Sequence, residues 1–91
     1  MLVMVMETVP NNVRGELSRW LLEVKAGVFV GSVSGLVRDL LWELCKRKVL
    51  SGGIWQIYSY NNEQGFLMRQ HGVTDKMIAD FDGLFLLKKP I

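Results

Sequence analysis

The run "LVMVM" (residues 2–6) is apolar without a break and is closed off by Glu7, Thr8 and Pro10. It reads as a strand buried on both faces. Such a strand belongs inside a sheet with cover on either side, and the chain has only 91 residues with which to build one. That length suits one compact domain, residues 1–91, with one core. Glu7 then stands at the carboxyl end of the buried strand.

The rest of the chain supplies the cover. From Asn12, placed to cap a helix, Val13, Leu17, Trp20, Leu21 and Val24 recur at helical spacing, while Arg14, Glu16, Arg19 and Glu23 fall elsewhere around the wheel. This predicts a one-faced helix with Trp20 in the core, stopped by Lys25-Ala26-Gly27 and followed by a short strand, "VFV" (28–30). Ser32 or Ser34 caps a second helix with an apolar stripe of Leu36, Val37, Leu40, Leu41, Leu44 and Cys45. Its end near Leu50 carries Lys46-Arg47-Lys48 against the negative pole of the dipole. Trp42 falls off that stripe, either an anchor for a partner or a cover over helix stems. "IWQIYSY" (54–60) and "FLMRQHG" (66–72) form a hairpin across "NNEQG", and "GLFLL" (83–87) is a last short strand.

The order predicts an α+β sandwich with both helices on one face of a mainly antiparallel sheet. Two helices cover only one face. A twofold homodimer stacked sheet on sheet is the economical cover for the other.

Composition narrows the function classes. Hydrophobic residues make up 49% and charged residues 22%, which excludes a disordered chain. A net charge of +2 does not by itself announce a nucleic-acid binder, so charge placement has to decide. The single cysteine, Cys45, forbids an intrachain disulfide and points to a reducing, cytoplasmic setting. "MLVMVMETVP" lacks the basic leader and cleavage site of a signal peptide, and no apolar run approaches the roughly 20 residues of a membrane span. No Ser-His-Asp set, glycine-rich phosphate loop or zinc signature is present. His71, the one histidine, is expected to be a hydrogen-bonded structural residue, and Cys45 a packing residue.

"RGELSRWLLEVKAGVFVGSVS" (14–34), with the strand ending "METVP", "NNEQGF" at the hairpin and "DFDGL" (80–84), resembles the small CRISPR-associated protein of the spacer-acquisition pair, the Cas-two family, in its type I-E branch. The resemblance spans nearly the whole chain. It implies a ferredoxin-like fold, a homodimer, and a scaffold role: the dimer holds the middle of a protospacer DNA duplex while subunits of the integrase, Cas-one, insert the ends. It also implies that residues 80–91 dock the integrase, which singles out Asp80, Asp82, Leu84, Phe85, Leu86 and Leu87.

The resemblance further implies a phosphate contact at Arg14, where helix N–H groups and dipole agree with it. Asn12 stands where the family often has arginine, keeping a hydrogen-bond donor without the charge. In "VTDKM" (73–77), where relatives carry adjacent arginines, this chain has Asp75 and Lys76, of which Lys76 retains a contact and Asp75 repels phosphate. The alternative function is a metal-dependent endonuclease, RNase or DNase, in which Glu7 from both protomers holds Mg²⁺. Against it, a single carboxylate per protomer with no acidic or histidine companion nearby in sequence is a poor metal cage. The scaffold role needs no cofactor. A ferredoxin-like module for a small ligand is a third class, disfavoured because no pocket signature is present.

Overall fold

A computed structural model describes residues 1–72, 77–81 and 84–88, with side chains described through residue 72. Along the chain lie β1 (Leu2–Met6), α1 (Asn11–Leu17), β2 (Leu22–Lys25), β3 (Val28–Gly31), α2 (Gly35–Lys48), β4 (Ile54–Ser59), β5 (Phe66–His71), β6 (Met77–Phe81) and β7 (Leu84–Lys88). The first five strands form one sheet in the order β2-β3-β1-β4-β5, antiparallel throughout. With both helices on one face, this is an α+β fold of the ferredoxin-like kind, extended at one edge by β5. The strands β6 and β7 pair as a separate two-stranded sheet.

β1 is the middle strand, paired with β3 along one edge and β4 along the other. Its side chains alternate: Leu2, Met4 and Met6 are buried, whereas Val3 and Val5 are half-buried. Register carries each set across the sheet. Met4 lies between Phe29 and Gln56, and Met6 beside Ile54, on the face the helices cover. Val13, Leu17 and Leu21 close over that face from one side, and Leu41, Trp42, Cys45 and Val49 from the other. The far face carries Val3, Val5, Val28, Val30, Ile57 and Met68, all half-buried, with Trp55 buried opposite Val5.

The first helix is shorter than its apolar spacing predicts. It begins at Asn11 behind Pro10, so Asn12 lies in its first turn instead of capping it. It ends at Leu17 through tightening i→i+3 bonds, Arg19 N–H to the Glu16 carbonyl and Trp20 N–H to the Leu17 carbonyl. Leu22–Lys25 is a strand. Over so short a window "WLLEV" fits a helix and a strand equally, and pairing with β3 decides it. In that strand Glu23 faces inward while Leu22 and Val24 are exposed, and the pairing slips between Glu23 and Lys25 as a bulge.

The second helix forms from Ser34, whose hydroxyl accepts from Val37 N–H at 3.2 Å. It is rotated from the expected stripe: Leu36 and Leu40 are 71% and 60% exposed, while Trp42 is 5% exposed. The rotation places the Trp42 indole in the core cluster beside Leu41 and Cys45. Trp20, expected in the core, is 48% exposed.

Gly27 holds the β2–β3 hairpin to the end of β1. At φ 79° its carbonyl accepts from Met6 N–H at 2.8 Å, and an added Cβ would collide with the Met6 carbonyl oxygen. Gly27→Ala is therefore expected to destabilise the fold by about 2 kcal/mol. A urea midpoint equal to that of the parent would contradict this account of the hairpin.

Candidate functional site

Glu7 leaves the end of β1 and turns toward the entrance of β4. Its N–H donates to the Gly53 carbonyl at 3.1 Å, and its Oε1 accepts from Gly53 N–H at 2.6 Å. Gly52, at φ 79°, lies under the Glu7 side chain, and Gly72 presses against the Gly52 carbonyl. The end of β1, the start of β4 and the end of β5 therefore meet around one carboxylate. The side-chain oxygen on the Gly53 N–H, with the main-chain bond beside it, clamps this junction.

For Mg²⁺ the same geometry is a poor cage. One carboxylate oxygen is committed to Gly53, and among the described residues no group of three or more His, Cys, Asp or Glu side chains is arranged to hold a metal ion. A single protomer's described residues do not fit the ion.

Arg14 is anchored rather than free. Its Nε donates to both oxygens of Glu23, at 2.9 and 3.2 Å, and Glu23 Oε2 also accepts from Gly27 N–H at 3.0 Å. A guanidinium has five N–H donors, so the two terminal nitrogens are left for another acceptor. The side chain is 40% exposed. The Arg14 guanidinium, helped by the Gly27 N–H, holds the Glu23 carboxyl below its ordinary range. Asn12 is exposed and its Oδ1 accepts from Val13 N–H at 3.0 Å, one of the donors a helix start leaves unpaired.

These contacts form one chain of bonds: Arg14 to Glu23, Glu23 to Gly27, Gly27 to Met6, and Glu7 to Gly53. Arg14, Glu7 and Gly72 are thus brought to the same end of the sheet. Lys76 lies outside the described residues, as does Asp82. Asp80 is in β6 opposite Phe85, and Leu84, Leu86 and Leu87 are in β7.

Sequence reasoning missed a polar cluster at the opposite edge. Gln56 is fully buried in β4 with both ends of its amide paired: Nε2 donates to the Arg38 carbonyl at 2.9 Å, and Oε1 accepts from Arg69 Nε at 2.8 Å. Asp39 bonds both Arg38 and Arg69, which hold its carboxyl below the usual range, Arg38 foremost. Arg38 stacks on Tyr58 at 4.1 Å, and Arg69 lies 5.5 Å from Trp42 and 5.2 Å from Tyr58. The available signal was Gln56 itself, at an inward position between Ile54 and Tyr58.

Two further expectations divide. Cys45 is a packing residue, and burial pushes its thiol up to about 11, so it is protonated at neutral pH. His71 is exposed at the end of β5, where the strand pairs it with Ile54, and its side chain makes no hydrogen bond among the described residues.

The fold defines a class: a small ferredoxin-like α+β domain, with no group of three or more His, Cys, Asp or Glu side chains placed to hold a metal among its described residues. A family model described as CRISPR-associated protein (Cas_Cas2CT1978) matches residues 1–86. The chain belongs to this Cas-two-like family of CRISPR-associated proteins, whose general role is in CRISPR adaptation. No described helix is long and apolar enough to cross a membrane.

Two outcomes test the site geometry. Glu7→Gln keeps an oxygen for Gly53 N–H and is expected to unfold at nearly the parent urea concentration, whereas Glu7→Ala loses about 1 kcal/mol. Equal loss in both would mean that charge, not the hydrogen bond, matters. Because the Glu23 pKa is depressed on folding, its stabilisation is full above the unfolded value near 4.3 and fades as pH falls through the lower folded value. Arg14→Ala is expected to flatten stability against pH in that acid window, and an unchanged acid limb would sink the assignment.

Proposed function

We propose that this protein is the dimeric scaffold of a type I-E CRISPR spacer-acquisition complex, gripping the backbone of the protospacer duplex and bridging Cas-one integrase subunits. The observation that carries the reading is the convergence of Arg14, Glu7 and Gly72 on one end of the sheet within a chain of the CRISPR-associated family. Arg14 lies in the last turn of α1 and is held by Glu23, and its terminal guanidinium nitrogens support a phosphate contact. Lys76, four residues beyond Gly72 in the sequence, is the other basic contact of this reading. Asn12 contributes a neutral hydrogen bond there.

Half-buried apolar side chains across the far face of the sheet support a homodimer through that face. The hairpin β6–β7 supports docking of the integrase by Asp80, Asp82, Leu84, Phe85, Leu86 and Leu87, in a segment separate from the five-stranded sheet. Glu7 serves the strand junction in this reading, and integration chemistry belongs to the partner. The endonuclease alternative, with Glu7 of two protomers sharing Mg²⁺, asks an oxygen already bound to Gly53 to turn to the ion.

The deciding experiment uses labelled duplex with short single-stranded ends, the protein with and without integrase, Mg²⁺ or chelator, and Glu7→Gln. Integration is expected to need both proteins and to survive Glu7→Gln. Cleavage by the small protein alone, lost in chelator and in Glu7→Gln, would establish the nuclease instead. In duplex titrations, Arg14→Ala is expected to lower the slope of log affinity against log salt by about one unit per protomer. An unchanged slope would remove Arg14 from the interface.

A further inference from the structure

An acid beside a phosphate contact opposes it by repulsion, yet Glu23 lies directly against the arginine assigned to the duplex. Its placement is closely fixed. On β2 its neighbours Leu22 and Val24 are exposed, while the Glu23 side chain is turned inward and only 21% exposed. Both of its oxygens accept from Arg14 Nε, at 2.9 and 3.2 Å, and Oε2 also accepts from Gly27 N–H at 3.0 Å. The Gly27 carbonyl in turn accepts from Met6 N–H at 2.8 Å. The guanidinium is thereby referenced to the end of the central strand, although Arg14 itself sits on a helix.

Which donor Glu23 takes matters as much. Nε is the inner donor of the guanidinium fork, so a carboxylate on it leaves the four N–H groups of the two terminal nitrogens at the outer end. A free arginine loses rotamer freedom when it grips a phosphate, which lowers affinity by roughly 2- to 10-fold. An arginine held by the fold has already lost that freedom. Repulsion between Glu23 and a phosphate is screened over about 8 Å at physiological salt, whereas the gain from ordering is not screened.

We propose that Glu23 is a positioning residue for the duplex: it raises affinity by holding the Arg14 guanidinium with its terminal nitrogens free, in spite of its own charge. Glu23 has this part only where Arg14 grips the DNA backbone, so the role rests on the function proposed above.

Three variants at position 23 separate the bonds from the charge. Glu23→Asp keeps the charge but is one methylene short, Glu23→Gln drops the charge and keeps an oxygen for Arg14 Nε or Gly27 N–H, and Glu23→Ala drops both. Affinity for a labelled duplex is measured by fluorescence anisotropy at about 0.15 M salt, for each variant alone and combined with Arg14→Ala, with circular dichroism to verify folding. Glu23→Asp is expected to bind roughly 2- to 10-fold more weakly than the parent, and Glu23→Ala more weakly than Glu23→Gln by a similar factor. Both differences are expected to vanish in the Arg14→Ala background. If Glu23→Ala does not fold, the comparison of the parent with Glu23→Asp in the two backgrounds decides alone. Affinity that follows charge, with Glu23→Asp equal to the parent and Glu23→Gln equal to Glu23→Ala, overturns the positioning role; a loss in Arg14→Ala then leaves the duplex reading standing. Differences that persist in Arg14→Ala overturn it as well, because they arise from the fold and not from the guanidinium. A parent protein that does not bind duplex, or whose affinity Arg14→Ala leaves unchanged, removes the Arg14 contact and this role with it.

Discussion

Everything else in this molecule depends on β1 being hydrogen-bonded along both of its edges. A five-residue strand without a charged or hydroxylated side chain has nowhere else to go, and its two-sided pairing fixes the antiparallel order on either flank. Alternation then sends Leu2, Met4 and Met6 under the helices and Val3 and Val5 to the far face. The functional geometry follows from the same constraint. Where β1 runs out, the first polar side chain, Glu7, meets the neighbouring strand ends, and its position there is set by sheet register.

The two ends of the helix layer solve different problems with similar chemistry. At the β2 side, Arg14 and Glu23 pair near the surface and leave guanidinium donors to spare. At the β5 side, Gln56 is buried and both ends of its amide are satisfied, tying the α2 backbone to Arg69. A buried amide with one partner missing costs about 1–3 kcal/mol, so the pairing of Gln56 with both α2 and β5 fixes how the helix sits on the sheet. Aromatic faces of Trp42 and Tyr58 hold the two arginines in place. The first arrangement suits a surface that receives a ligand, and the second a joint that keeps its shape.

Much of the architecture was legible in the residues because each signal was local. The apolar run gave β1, Ser34 and the basic last turn bracketed α2, and "NNEQG" separated β4 from β5. Leu22–Lys25 was not legible, since a helical period and a strand period coincide over "WLLEV" and only pairing with Val28–Val30 separates them. The rotation of α2 was equally hidden. A stripe of leucines is a guide to the buried face of a helix, but α2 turns Trp42 inward and leaves Leu36 and Leu40 outside. β6 was missed although Asp82-Gly83 is a hairpin dipeptide with strand formers on both sides. At the site, Glu7 was placed correctly at the end of its strand, but its bond to Gly53 needs contacts 46 residues apart. Arg14 was singled out by its position, while Glu23, which holds it in the structure, belonged to a stretch read as helix.

The slip in pairing between Glu23 and Lys25 has a meaning for solubility. β2 is an outer strand, and a straight outer strand offers an open row of amide and carbonyl groups to any other chain. Here the row is broken by an extra residue and carries Glu23 and Lys25 beside the exposed Leu22 and Val24. An incoming strand therefore meets a kinked, charged edge with which it cannot stay in step. The bulge guards this edge of the sheet against fibrous stacking, because an added strand would lose its register at the extra residue.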